Sequence, residues 1–489
     1  MEILDNASYK GENFKSLFSE SSIKDLLIIE NSTIGTLKKQ GGVWVFPPDA
    51  DKNNEKELEG KIITFQYGDA GAHDMEITKW ICGIKTENIL GFIGSGSTDL
   101  TIRSRFSKKE RNDWFMQYLL QEVLSINIFT LNHSVSGKGS FDYRFFLFPY
   151  LLQKALRKGL YREYVRRLYN NDHPTGTIDV KQHILRNSNA PNGKVAYVKT
   201  EYAEDNPMTQ LVRHTIESIR GNRMVSHILS YSQETITNVR TIINATPSYR
   251  KGDLQKVINS CNKLKPHPVY TDYQPLQKLC LQILKDEEQG YDGLSASDKT
   301  HGLLFNGAWL WEEFLGRIFT KAGYLHPKNK IKNDPIMMFK GIETDWNKRY
   351  PDYYKTGNSP IVVDAKYRPL LKMDDKKGII TNYDRDHFNQ ILAYLHLLKS
   401  KKGCLIFPSE FTLTEQDDFT NIGEKTNLLL SKKELYVYKV GDLEGNGGSV
   451  FIIGVCIPSK KGSYADFFSA MKDVESELLD TIVNKLPLY

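Results

Sequence analysis

Tyr350-Pro351-Asp352-Tyr353-Tyr354-Lys355-Thr356-Gly357-Asn358-Ser359-Pro360-Ile361-Val362-Val363-Asp364-Ala365-Lys366 has the pattern of a β-hairpin that brings two carboxylates together. Ile361, Val362 and Val363 are a β-branched run, the composition of a buried strand. Thr356 to Pro360 is turn chemistry. Folding the chain about Asn358 sets Asp352 opposite Asp364. Directly opposed residues of an antiparallel pair have Cβ atoms about 4.5–5.5 Å apart. Two carboxylates at that spacing suit one hard divalent cation. Side chains alternate along a strand, so Lys366 shares the face of Asp364 and Ala365 points away. An ammonium beside two carboxylates and a metal can orient a water and stabilise charge on a phosphate.

A helix is expected downstream, with Asp384 as N-cap. Phe388, Ile391, Leu392, Leu395 and Leu398 form one apolar stripe. Gln390 and Tyr394 are four residues apart and share another face.

Pro-Asp…Asp-Ala-Lys-Tyr followed by Gln-x-x-x-Tyr resembles the PD-(D/E)XK nuclease superfamily. The resemblance implies that Asp352, Asp364, Lys366 and Gln390 form the catalytic set and that Tyr394 lies near the DNA backbone. It also implies a Mg²⁺ (or Mn²⁺) ion held by Asp352, Asp364 and the Ala365 carbonyl, with Lys366 positioning the attacking water. Leu310-Trp311-Glu312-Glu313-Phe314-Leu315 is similar to the segment that precedes the nuclease strands in the McrC family, the cleavage subunits of McrBC and LlaJI-type restriction systems. Glu312 is a candidate further carboxylate for the metal; it can equally be a helix-surface residue. Thr175-Gly176-Thr177-Ile178-Asp179 resembles the family's Arg-Gly-x-Ile-Asp, with Thr175 in place of its arginine. Gly403-Cys404-Leu405-Ile406-Phe407-Pro408 resembles its Gly-x-Leu-x-Tyr-Pro strand.

That likeness implies a partner: a hexameric McrB-like AAA+ GTPase, engaged through a β-rich front arm, and double-stranded DNA cut when two complexes meet. Leu100-x-Ile102-x-x-Arg105 resembles a segment of that arm, so Arg103 and Arg105 are candidate partner contacts. A solvated strand face would read the same way. A basic stretch, Lys154, Arg157, Lys158, Arg162, Arg166 and Arg167, is a candidate DNA-tracking face, or simply the wet side of an amphipathic helix.

Length and composition set the frame. A chain of 489 residues should hold several cores. The expected architecture is multidomain α+β: a β-rich domain over 1–140, a mainly helical domain over 141–295, and a restriction-endonuclease-like α/β domain with a mixed sheet over 296–489. The final amphipathic stretch, Tyr464 to Leu486, should pack on that sheet as a helix. The net charge of +6 permits nucleic-acid binding without requiring it. Five cysteines with no Cys-x-x-Cys pair fit reduced thiols in a cytoplasmic protein. No signal peptide or membrane span is expected, since the longest apolar run, Val450 to Ile457, is too short. No Gly-x-x-x-x-Gly-Lys-[Ser/Thr] loop is present, so GTP is expected on the partner rather than on this chain. The competing expectation is a non-catalytic adaptor that activates an AAA+ motor and keeps the nuclease fold as scaffold.

Overall fold

The computed structural model describes the chain apart from residues 41–42, 48–58, 69–79, 108–111, 125–143, 189–192, 224, 231, 264–266, 290–299, 328–334, 358, 383–384, 445–446 and 460. The hairpin apex Asn358 and the expected cap Asp384 lie outside the described residues. The chain divides into two compact units, Met1–Leu124 with Ala296–Tyr489, and Ser125–Ser295.

This division corrects the three-block expectation. The front and back blocks belong to one unit because one strand of the front sheet comes from the back block. The five-stranded front sheet has the order Glu2–Leu4, Thr98–Arg103, Ile89–Ser95, His301–Asn306, Val43–Phe46. His301–Asn306 pairs antiparallel to Ile89–Ser95 and parallel to Val43–Phe46. Gly302, Leu303, Leu304 and Phe305 are all buried, as a strand covered on both sides must be. Leu304 packs with Ile3, Leu26, Ile93, Leu100 and Ile102. Full burial of such a leucine contributes about 1.5–3 kcal/mol. The front is also less β-rich than expected. It carries the helices Gly11–Leu17, Glu20–Glu30, Ile34–Gln40 and Trp114–Leu124 beside a second, three-stranded sheet of Ser8–Lys10, Ile81–Thr86 and Ile63–Tyr67.

From His301–Asn306 the chain runs directly into the helix Gly307–Lys321. The Asn306 side chain caps it, accepting from the backbone N–H groups of Ala308 and Trp309. The back of the same unit is a mixed six-stranded sheet in the order Tyr353–Lys355, Ile361–Ala365, Lys402–Ser409, Ser449–Cys456, Leu435–Asp442, Leu428–Ser431. Leu435–Asp442 lies on the far side of Ser449–Cys456 from Lys402–Ser409. Those two strands are almost wholly apolar and pair directly in parallel, whereas Leu435–Asp442 grows more exposed towards its end, as a strand near an edge can. The helix Arg385–Leu397 packs Ile391, Tyr394 and Leu395 on one side of this sheet, with Val362, Leu405, Phe407 and Ile452. The helix Tyr464–Asp480 packs against the strands and against Gly307–Lys321, as the terminal stretch suggested.

The other unit combines helices with a three-stranded sheet of Glu163–Asn171, Val195–Ala203 and Thr177–Ile178. The helix that carries the start of the basic stretch, Arg144–Leu156, ends before Gly159. Gly159 has φ +91°, a left-handed conformation that releases the chain into a strand. Alternating Glu163, Val165, Arg167 and Tyr164, Arg166, Leu168 then follow the strand period instead of the helical one.

Candidate active site

The hairpin forms in the register the turn dictates. Tyr353 pairs with Val363, Tyr354 with Val362, and Lys355 with Ile361. Extending that ladder by one step sets Asp352 against Asp364. Asp352 Oδ2 accepts a hydrogen bond from the Ala365 backbone N–H at 2.7 Å, which locks the two ends together. Asp364 is almost fully buried at the end of its apolar strand. Lys366 follows it, its backbone N–H donating to the Ile406 carbonyl at 2.8 Å. The Lys366 ammonium reaches back to within 2.5 Å of Asp364 Oδ2. The alternation of faces read from the sequence is therefore realised.

The helix Arg385–Leu397 completes the arrangement with a directed chain of donors. Lys366 Nζ donates to Gln390 Oε1 at 3.0 Å, Gln390 Nε2 to the Tyr394 hydroxyl at 3.0 Å, and Tyr394 to the Tyr350 carbonyl at 3.0 Å. A carbonyl can only accept, so the last bond fixes the sense of the chain and the orientation of the Gln390 amide. Tyr394 is buried, and its hydroxyl links Gln390 to the Tyr350 carbonyl.

The electrostatics are those of a crowded acid pair. Burial, then the neighbouring Asp364 charge, then Glu312, push the Asp352 carboxyl well above the usual carboxylate range. Burial also raises Asp364, and the Lys366 ammonium opposes that rise. Asp364 Oδ2 has the Lys366 ammonium, 2.5 Å away, as its charged partner. A buried carboxylate beside a second carboxylate fits a hard divalent cation that needs few protein ligands and keeps its waters. Among the described residues no three His, Cys, Asp or Glu side chains form a ready-made metal cluster. Glu312 thus bears on Asp352 through its charge, and its carbonyl accepts from the Tyr353 hydroxyl.

Other candidates are placed differently. Arg105 is bound inside the fold: its backbone N–H donates to Asp5 Oδ1 at 2.6 Å, and its Nε and Nη2 to Asp5 Oδ2 at 3.0 and 2.6 Å. It also bonds Asn88 and lies over the Tyr367 ring, 5.1 Å from the centroid. Arg103 contacts Glu2 and the Ser107 carbonyl. Arg105 is committed to the fully buried Asp5, whereas the ion-pair partner of Arg103, Glu2, is exposed. In the other unit, Lys154 and Lys158 face Asp272, Arg162 pairs with Glu204, and Arg167 donates to the Asp205 carbonyl. Of the basic stretch, Arg157 and Arg166 are the exposed members with no ion pair to show. The six do not lie on one helix face, because the chain changes to a strand between them.

Two neighbours escaped the sequence reading. His387 is buried in the first turn of the helix that carries Gln390, and its charge lowers Asp364. Its position three residues before Gln390 on that helix was the available signal. His326 Nδ1 donates to the Asp352 carbonyl at 2.8 Å; nothing local in the sequence pointed to it.

A refined half-complex from the tetradecameric assembly of Thermococcus gammatolerans McrB AAA+ hexamers with bound McrC is similar at 14% identity. The match covers 97% of this chain and 99% of that one, with a TM-score of 0.42. The cryo-EM structure of the Thermococcus gammatolerans McrBC complex is similar at 13% identity over 66% of this chain and 87% of that one, with a TM-score of 0.29. No curated protein matches. Among the described residues no helix is long and apolar enough to cross a membrane. The family model for the McrBC 5-methylcytosine restriction system component matches residues 84–408, about two thirds of the chain, from the front sheet through the hairpin of Asp352 and Asp364 to the strand behind it, and the chain belongs to that family.

Proposed function

We propose that this chain is the DNA-cleaving subunit of an McrBC-type restriction system. The observation that carries the reading is the Asp352–Asp364–Lys366–Gln390 constellation at the end of a buried hairpin. Asp352 and Asp364, with the Ala365 carbonyl, would hold Mg²⁺ or Mn²⁺, which when bound supplies positive charge at the scissile phosphate. Lys366 orients the attacking water and stabilises charge on a phosphate oxygen. Gln390 holds the ammonium in place, and Tyr394 holds Gln390. The Thermococcus gammatolerans structure contains McrB AAA+ hexamers with bound McrC. By the family relation this chain takes the McrC role, with a GTP-hydrolysing AAA+ partner and double-stranded DNA as substrate.

The test is cleavage of methylated and unmethylated plasmid by the chain together with its AAA+ partner, GTP and Mg²⁺. Asp364→Ala and Lys366→Ala should each lower cleavage by on the order of 100-fold or more while partner binding persists. Both variants cutting at the parental rate would remove the assignment. A parental chain that stimulates the GTPase but never nicks DNA would establish the adaptor role instead.

A further inference from the structure

Tyr367 lies one residue beyond the lysine, and its ring is gripped by the front half of the unit. Its hydroxyl is 3.0 Å from the Ser104 hydroxyl. The Arg105 guanidinium lies over its face, and the Phe106 ring meets it edge-on with centroids 5.2 Å apart. On another side it presses against Gly307, where an added Cβ would come within 2.6 Å of Tyr367 Cε1. The grip is itself braced. Asp113 accepts from the Ser104 backbone N–H at 2.5 Å and from the Ser107 hydroxyl at 2.6 Å, and Asp5 holds Arg105. Ser104, Arg105 and Phe106 directly follow the front-sheet strand Thr98–Arg103, and Gly307 directly follows the inserted strand His301–Asn306. Tyr367 is thus fixed by two strands of a sheet that contributes no group to the acid pair.

We propose that Tyr367 is a positioning residue for Lys366: the front sheet, through Ser104, Arg105, Phe106 and Gly307, clamps the Tyr367 ring and so fixes where the Lys366 ammonium stands between Asp364 and Gln390. A side chain with a rigid ring, held on several sides, leaves the preceding backbone little freedom. Lys366 is held from its own side by the Ile406 carbonyl and from the other by this ring. The inference rests on the nuclease reading for its consequence in catalysis, but not for its geometry.

Two measurements test it. The first is acylation of Lys366 in the metal-free chain by an amine-reactive acetyl ester, followed by peptide mass spectrometry. Lys366 should be protected in the parental chain. Tyr367→Leu should raise its labelling about tenfold, while Tyr367→Phe, which keeps the ring, should stay within about twofold. The expectation follows from the loss of a packed ring that orders its neighbour. The second is DNA cleavage with Mn²⁺. Tyr367→Leu should lower kcat at least about tenfold with KM unchanged, since misplacing a catalytic group by about 1 Å costs on the order of 100-fold. Tyr367→Phe should restore most of it. Should Tyr367→Leu fail to fold, Phe106→Leu, which removes the ring that meets Tyr367 edge-on, carries the test and should raise Lys366 labelling beyond the roughly twofold range of Tyr367→Phe. Labelling that stays parental in every folded variant would overturn the clamp. Labelling that behaves as expected in a chain that never cuts DNA would keep the clamp and remove the nuclease reading.

Discussion

Replacing Arg105 by methionine should unfold the larger unit well before it affects anything outside the chain. Asp5 is fully buried and Arg105 is only 13% exposed, so solvent screens the pair weakly. Methionine keeps much of the packing over Tyr367 but leaves the Asp5 carboxylate with neither counter-charge nor the side-chain donors. Removing one member of a buried ion pair costs about 3–5 kcal/mol. At about 2–4 °C per kcal/mol, the melting temperature should fall by roughly 6–20 °C. The pH dependence follows from the direction of the Asp5 shift. Burial raises its carboxyl above the usual range even with Arg105 opposing it. Without the arginine the rise is larger. A group with a raised folded value favours the folded state fully only when protonated, and that contribution is lost as pH rises. The deficit of Arg105→Met should therefore be full at neutral pH and shrink on acidification, beginning above the ordinary carboxylate range. Calorimetry of the parent, Arg105→Met and Asp5→Asn/Arg105→Met across that range is the assay, and the double variant should recover most of the loss. A loss below about 1 kcal/mol that does not change with pH would mean that Arg105 is not committed to Asp5, and would return it to the surface as a candidate partner contact.

Four further outcomes are expected. Mn²⁺ should raise the melting temperature of the parental chain, by about 2.7 kcal/mol of added stability at one hundred times its Kd. Asp352→Asn should be more stable than the parent without metal and gain little from it, because the repulsion in the acid pair is gone; scanning fluorimetry with and without Mn²⁺ reads both effects. Gly307→Ala should lower stability by about 1–3 kcal/mol in urea unfolding, since its Cβ would collide with the Tyr367 ring. In the native chain Cys82 should react with Ellman's reagent at pH 8 while Cys280 and Cys456, whose thiols burial pushes up to about 12, stay silent until denaturant is added.

The hairpin that joins Asp352 to Asp364 was legible because everything that specifies it is local. A short turn fixes register, and register fixes which side chains face each other. The Gln390–Tyr394 pair was legible for the same reason, since four residues are one helical turn. The strand His301–Asn306 was not. Its partners lie some 200 residues earlier, and Leu303-Leu304-Phe305 is too short an apolar run to announce whether it is strand or helix. Without that strand the front and back blocks read as separate domains; the expectation for Arg105 came from the resemblance of Leu100-x-Ile102-x-x-Arg105 to the family's arm, and the parallel pairing of Glu2–Leu4 with Thr98–Arg103 that brings Asp5 to it is likewise long-range. The apolar stripe that runs on through Leu156, Leu160 and Val165 is compatible with a helix, and Gly159 signals a break in it; which structure follows the break, here a strand that carries Arg162's neighbours Arg166 and Arg167, is set by its pairing with Val195–Ala203.

The strand His301–Asn306 also sets a timetable for making the protein. The ribosome releases Ile89–Ser95 and Val43–Phe46 long before the segment that pairs with both of them. At about 5–20 residues per second, synthesis of the intervening stretch of some 200 residues takes roughly 10–40 s. During that interval the whole of Ser125–Ser295 emerges and is free to fold by itself, while the earlier half waits with open, apolar strand edges of the kind that invite aggregation. A nascent chain stalled before Gly302 should therefore be recognised by chaperones through residues 43–46 and 89–95, and one stalled after Lys321 has emerged should not.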